Sequence, residues 1–80
     1  MPVVFRDRGV RFFFYSNEGD PREPVHIHAE SGEGRAKFWL WPDVCVADSA
    51  GYDRRQLAGL AATVASRRDD IERAWHEFFG

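Results

Sequence analysis

Two histidines are the side chains of this 80-residue sequence best suited to chemistry. His26 and His28 alternate with apolar residues in the segment 25–31, and positions two apart on a β-strand project to the same side. Imidazole exchanges protons near neutral pH and is also a common metal ligand. The pair could therefore transfer protons or share one metal ion, and the motif alone does not choose between these roles.

A metal centre needs more ligands than the two histidines supply. Catalytic zinc sites commonly use three protein ligands and keep one position open. Glu30 lies ~13 Å from His26 along an extended strand, too far to complete a simple triad. The missing ligand would come from a second subunit or from one of the acidic residues in the loop before β-strand 25–31, namely Glu18, Asp20 or Glu23. We expect no cofactor, with a divalent metal such as zinc on His26 and His28 as the alternative.

Acid–base catalysis would need no metal. One histidine can donate a proton while the other accepts one, and Lys37 is a third candidate catalytic residue. Arg11, Arg35 or Lys37 could hold a phosphate and stabilise its developing charge. This combination is typical of a small ribonuclease, although no motif fixes that reaction.

The histidines also fall in a larger group of side chains. Strand alternation predicts one set that faces a helix: Phe12, Phe14, Ile27, Ala29, Ala36, Phe38 and Leu40. It predicts an opposite set comprising Arg11, Phe13, Tyr15, His26, His28, Glu30, Arg35, Lys37, Trp39 and Trp41. From the second set we predict a binding surface composed of Arg11, Phe13, Tyr15, His26, His28, Arg35, Lys37 and Trp39.

Two kinds of macromolecule suit such a surface. Aromatic and basic side chains on an open sheet can stack the bases of single-stranded nucleic acid. Trp, Tyr and Arg are also favoured anchors in protein–protein interfaces. The formal net charge of −2 provides no general attraction to nucleic acid or to an anionic membrane, so we rank a protein partner first.

The elements that must position these residues follow from periodicity. Alternating or aromatic-rich runs predict antiparallel strands near 3–6, 10–16, 25–31 and 35–41, with a fifth candidate near 44–47. A capping-box pattern at Asp53 and Gln56 starts one long helix over about 53–78. The fold class predicted is α+β, a small sheet of four to five strands packed on that helix.

The predicted helix is longer than the predicted sheet. A helix over 53–78 would measure ~39 Å, whereas a six-residue strand spans ~20 Å. The aromatic end of the helix, with Trp75, Phe78 and Phe79, would therefore fold back or meet another chain. This mismatch indicates a homodimer or a partner protein.

Composition limits the remaining possibilities. With 44% hydrophobic and 30% charged residues, the sequence is typical of one globular domain over 1–80. Cys45, the only cysteine, excludes an intrachain disulfide and is expected to be buried between two valines. Early charges argue against a signal peptide, and no apolar run reaches the ~18 residues of a membrane span. We expect a cytoplasmic protein with no membrane partner.

Four segments together resemble the bacterial domain of unknown function family 4160. They are Arg11–Ser16, Pro24–His28, Ala36–Leu40 and Ala74–Glu77, and the resemblance extends over nearly the whole chain. The family has no established activity to carry over. Its genes often neighbour another short gene of unknown function, and such pairs are proposed to be toxin–antitoxin modules. The resemblance implies that association for this chain.

Two functional hypotheses follow from these observations. The first is a small bacterial interaction module, a component of a toxin–antitoxin-type gene pair, which binds a partner protein or single-stranded nucleic acid through the histidine, aromatic and basic sheet face. The alternative is a metal- or histidine-dependent hydrolase, a ribonuclease above all, centred on His26 and His28. Whether the protein is an enzyme is left open by the sequence.

Overall fold

The computed structural model describes residues 3–16 and 23–80. Five strands and two helices follow one another along the chain: β1 (Val3–Asp7), β2 (Val10–Phe13), β3 (His26–Ser31), β4 (Gly34–Trp39), β5 (Cys45–Ala50), α1 (Arg54–Ser66) and α2 (Arg68–Phe79). The strands form one antiparallel sheet in the order β1-β2-β3-β4-β5. The predicted α+β class, with five strands, is confirmed.

Short turns fix the register of the first four strands. Arg8 and Gly9 both have positive φ, 51° and 81°, as required at the two central positions of the hairpin turn that best matches strand twist. A second two-residue connection joins β3 to β4, where Ser31 lies opposite Gly34. Because side chains alternate along each strand, these turns decide which residues share a face.

The hydrophobic core lies between one sheet face and the two helices. All seven residues predicted to face the helix are buried, which confirms that part of the alternation. From the helices, Val64, Ile71 and Trp75 complete the core. The spacing of these three keeps them on one helical stripe because seven residues are close to two turns and four are close to one.

The prediction of one long helix is wrong in one respect, because α1 ends at Ser66 and α2 begins at Arg68. The Ser66 hydroxyl donates to the Thr63 carbonyl at 2.7 Å. The Arg67 amide is shared between the carbonyls of Thr63 and Val64, at 3.2 and 3.1 Å. This tightening interrupts the helix without rotating the apolar stripe, so a continuous periodicity did not reveal the break.

The last strand differs most from its prediction. β5 extends to Ala50 rather than to about 47, and all six of its residues are exposed. Cys45 is therefore exposed, and the prediction that it is buried is wrong. A bulge shifts the pairing of β5 with β4 between Lys37 and Phe38. Because β5 is an edge strand that buries little apolar surface, its sequence has only a weak hydrophobic pattern, and this pattern predicted its extent poorly.

Glycines hold the end of the β3–β4 hairpin close to the chain that enters α1. Gly51 has φ of +88°, and a Cβ there would lie 2.5 Å from the Glu33 carbonyl oxygen. Beside this contact, the Ser31 and Tyr52 hydroxyls are 2.7 Å apart, and the Gln56 amide donates to Glu33 at 2.5 Å. Asp53 and Gln56 form the predicted capping box. The start of α1 is thus joined to the sheet.

Neither helix in the described part of the chain has the length and apolar character to cross a membrane.

Candidate functional site

The sheet face turned away from the helices, called here the open face, is built from three rows of cross-strand neighbours. The first row runs Arg11, Glu30, Arg35 and Ala50, from β2 to β5. The second row runs Phe13, His28, Lys37 and Asp48. The third row runs His26, Trp39 and Cys45. Direct opposition in an antiparallel sheet brings the side chains of each row within ~5.5 Å at Cβ.

A shallow cleft of about 170 Å³ lies on the open face. Its lining comprises Phe13, Tyr15, His28, Ala29, Glu30, Arg35, Ala36, Lys37 and Asp48. Five of the eight predicted binding residues line this cleft, and Arg11 borders it through its ion pair with Glu30. The sheet therefore brings most of the predicted surface together in one place.

Aromatic rings pack against one another at the base of the cleft. Phe13 is buried and stacks on His28 with ring centroids 5.5 Å apart. Tyr15 meets the same imidazole edge-on at 4.6 Å, and its side chain is 44% exposed. His28 itself is half-buried. This arrangement leaves Tyr15 as the aromatic ring of the cleft most accessible to a ligand.

His26 is placed differently from its neighbour in the motif. Its ring is fully buried and lies 5.4 Å from the ring of Trp39, 5.1 Å from that of His28 and 4.9 Å from that of Trp75 in α2. Its Nδ1 donates to the Pro24 carbonyl at 2.8 Å. The predicted binding surface includes His26, but the structure buries this ring beside Trp75 of α2 instead of exposing it.

Basic side chains on the open face are paired with acids of the same chain. Arg11 forms an ion pair with Glu30. Lys37 lies 3.4 Å from a carboxylate oxygen of Glu23, and its ammonium group is 4.5 Å from the centroid of the Trp39 ring. Two of the three predicted cations, Arg11 and Lys37, therefore have an acidic partner within ion-pair distance. Arg35 is exposed and forms no ion pair with another described residue.

The metal hypothesis finds no third ligand in the described residues. Within 3–16 and 23–80, no group of three or more His, Cys, Asp and Glu side chains is arranged to hold an ion. Glu23, one proposed donor, is paired with Lys37 instead. Glu18 and Asp20, the other two, lie outside the described residues. Among the described residues, the sheet therefore offers two imidazoles, one of them enclosed, where catalytic zinc sites commonly use three protein ligands.

Asp48 is a charged cleft residue that strand alternation did not place on this face. It lies directly opposite Lys37, at the β5 end of the second row. The predicted fifth strand ended near 47, one residue too early to include it. A strand extended through Ala50 would have placed this carboxylate beside the basic residues of β4.

Other predicted exposed aromatics lie outside the cleft. Trp41 is 49% exposed, donates its Nε1 hydrogen to Glu72 at 2.5 Å and lies under the Arg68 guanidinium at 4.0 Å. Arg68, the first residue of α2, is thereby accommodated at the surface of the core by an aromatic ring. Phe78 is exposed, whereas Trp75 is buried. Trp41 therefore supports α2 rather than the cleft.

Comparison with known proteins provides a family and no close relative. No curated protein and no solved structure matches the chain. A family model described as "Domain of unknown function (DUF4160)" matches residues 9–76, a span that includes β2 to β5, α1 and most of α2. The resemblance noted in the sequence is thereby confirmed. The chain belongs to the DUF4160 family.

Proposed function

We propose that this chain is a protein-interaction module whose partner docks on the open face of the sheet. The observation that carries this proposal is the internal pairing of charge. Arg11 is paired with Glu30, and Lys37 with Glu23, so the face combines accessible aromatic surface with little uncompensated positive charge. A surface that binds a nucleic-acid backbone needs cations that can replace counterions at phosphates. Paired cations suit a polypeptide partner better.

The aromatic side chains have the properties of interface anchors. Tyr15 is half-exposed yet held by packing against Phe13 and His28. Trp39 is half-buried and is covered on one side by the Lys37 ammonium group. Rings held in one position by neighbours lose little conformational entropy on binding, and such residues carry much of the binding energy in protein interfaces.

The partner we propose is the product of the adjacent gene, in a toxin–antitoxin-type pair. This step relies on the gene arrangement that the family resemblance implies. The test is calorimetric titration of the purified chain with the adjacent gene's product, followed by titration of Tyr15→Ala. We expect complex formation, weakened at least tenfold by Tyr15→Ala. Arg55→Ala, a change of an exposed residue on α1, is the matched control and should bind like the unmodified chain.

Two outcomes would contradict this proposal. One is no binding of the adjacent product at either low or high protein concentration. The other is equal affinity for Tyr15→Ala and Arg55→Ala, which would place the interface elsewhere. A twelve-nucleotide single-stranded RNA serves as the competing ligand: tight binding that weakens steeply with salt and requires Lys37 would favour nucleic acid instead.

The second candidate function is a histidine-dependent hydrolase, and one observation supports it. His28 lies directly opposite Lys37 in the cleft, with Tyr15 at the imidazole edge. These are groups that can exchange protons with a substrate. Because His26 is buried, we propose His28 and Lys37 as the first candidates for such a role. Cleavage of RNA by the purified chain, abolished by His28→Ala and by Lys37→Ala separately, would establish this function; full activity in either variant would exclude it.

A further inference from the structure

The edge of the sheet next to the cleft is open. β5 is the last strand in the order, and it pairs only with β4 among the described residues. All six of its residues are exposed. Edge strands are commonly protected from pairing by Lys, Pro, other charged side chains or bulges. Between Cys45 and Ala50, β5 carries no Lys or Pro, and it has only Asp48 and the bulge in its pairing with β4 as such features. One main-chain donor of β5 is already used within the strand, because the Ser49 amide donates to the Asp48 carboxylate at 3.0 Å.

Ion pairing across the open face leaves two opposite charges unpaired beside this edge. Glu30 lies between Arg11 and Arg35, directly opposite both, and pairs with Arg11. Lys37 lies directly opposite Asp48 but pairs with Glu23.

The residues left over are Arg35 and Asp48. Both are exposed, and neither forms an ion pair with another residue in the described ranges 3–16 and 23–80. Both line the cleft on its β5 side.

We propose that an extended segment of a partner protein adds to β5 as a sixth strand. In this arrangement, the added strand has a basic side chain opposite Asp48. Two positions further along the same added strand, an acidic side chain lies opposite Ala50, within reach of Arg35. The spacing follows from the register, because Arg35 lies opposite Ala50, two residues after Asp48. Strand addition derives affinity from main-chain hydrogen bonds and specificity from alternate side chains. This inference specifies how the partner in the proposed function docks, and it relies on that partner being a protein.

Charge selects a partner segment over a second copy of this chain. Paired with itself, β5 would bring a second Asp48 to the same ladder. β5 itself would offer no cation to either carboxylate, because the strand contains no Lys or Arg between Cys45 and Ala50. Like charges close together in a sheet are destabilising. The occupant we propose is therefore a different polypeptide, whose added strand carries both charge signs itself.

Cys45 provides a direct reporter for the test because it lies in β5 and is the only cysteine. The probe is a synthetic ten-residue peptide of alternating valine and threonine, in which a lysine and a glutamate replace two threonines two positions apart. The control peptide has the same side chains and N-methyl groups on alternate amides, which removes main-chain donors. We expect the first peptide to slow alkylation of Cys45 by iodoacetamide at least fivefold at saturation, and the N-methylated peptide to have no effect.

Variants of the two charged residues test the specificity. Asp48→Ala and Arg35→Ala should each weaken the peptide twofold to fivefold, while Arg55→Ala should leave its affinity unchanged. Both charged residues are exposed, so loss of the fold is not expected. Equal protection by the N-methylated peptide, or no protection of Cys45 by either peptide, would overturn the proposal. So would a dimer in light scattering whose Cys45 is already protected without peptide.

The adjacent gene's product separates this inference from the proposed function. If that product binds with dependence on Tyr15 but leaves Cys45 as reactive as in the free chain, strand addition is wrong and the proposed function stands. If that product does not bind, the proposed function is wrong, and the peptide result alone decides whether β5 accepts a strand.

Discussion

The ring of His26 lies 4.9 Å from the ring of Trp75, which ties the start of β3 to α2. Both side chains are buried, and the histidine Nδ1 is bonded to the Pro24 carbonyl. A residue that the sequence presents as a candidate catalyst thus occupies a structural position. The contact also explains how α2 is positioned after the break at Arg67: its buried indole packs beside a ring held by the sheet.

Replacement of His26 should therefore reduce stability. His26→Ala leaves a cavity beside Trp75 and an unpaired Pro24 carbonyl, so we expect a loss of about 2–4 kcal/mol in the free energy of unfolding. Urea denaturation followed by tryptophan fluorescence measures it. His28→Ala, the matched change at the half-buried position, should cost about 1 kcal/mol or less. A reversed order would contradict the placement of the two rings.

Gly51→Ala should destabilise the chain. The residue has φ of +88°, and the new Cβ would meet the Glu33 carbonyl oxygen and the Gly34 Cα at 2.5 and 2.8 Å. We expect a loss of about 1–3 kcal/mol from backbone strain and displacement of the β3–β4 turn. The midpoint of thermal unfolding measures the change. An unaltered midpoint would show that the turn and residue 51 are not in close contact.

Gly59→Ala should have the opposite effect. Gly59 lies inside α1, and a Cβ there would meet nothing within 4 Å. Alanine lowers the entropic cost of forming the helix, so we expect a gain of about 1 kcal/mol. Chemical denaturation measures the free energy of unfolding of Gly59→Ala and of Gly51→Ala, so the same substitution is compared at two sites. Destabilisation by Gly59→Ala would mean that another part of the chain packs against α1 at this position, contrary to the open space in the structure.

Arg11 and Arg35 should compensate for one another in pairing with Glu30. Glu30 lies directly opposite each of them and pairs with Arg11. In Arg11→Ala, the carboxylate can turn to Arg35, so we expect a loss below about 0.5 kcal/mol for this partly exposed pair.

The double variant Arg11→Ala/Arg35→Ala removes both choices and should lose more than the two single variants combined. A double-mutant cycle in urea measures this coupling. Additive losses would mean that Glu30 has no second partner available. Arg55→Ala combined with Arg11→Ala is the control cycle and should show no coupling.

Much of this structure was predictable because its signals are local. Alternation identified the buried face of the sheet, since period-two side chains of β2, β3 and β4 have one face in a core. The capping box at Asp53 and Gln56 located the start of α1, since its hydrogen bonds join residues three apart. The same alternation places Phe13, His28 and Lys37 on one face of the sheet, and the cross-strand pairing agrees.

The remainder depended on contacts between residues far apart in the chain. The periodicity of 53–78 could not show the break at Arg67, because Val64 and Ile71 stay in phase across it. The motif His-x-His could not show that His26 is enclosed, since that depends on Trp75 from α2. Composition could not decide which acid neutralises which base.

By itself, the sequence determined an α+β protein with a sheet of four to five strands, a buried helix-facing set and a face rich in histidine, aromatic and basic residues. Only the tertiary structure decided that His26 belongs to the packing and His28 to the cleft. It also decided that Glu30 pairs with Arg11 rather than Arg35. Local patterns fix which side of a strand a residue occupies, whereas its burial and its charge partner are fixed by neighbouring strands and helices that pack from elsewhere in the chain.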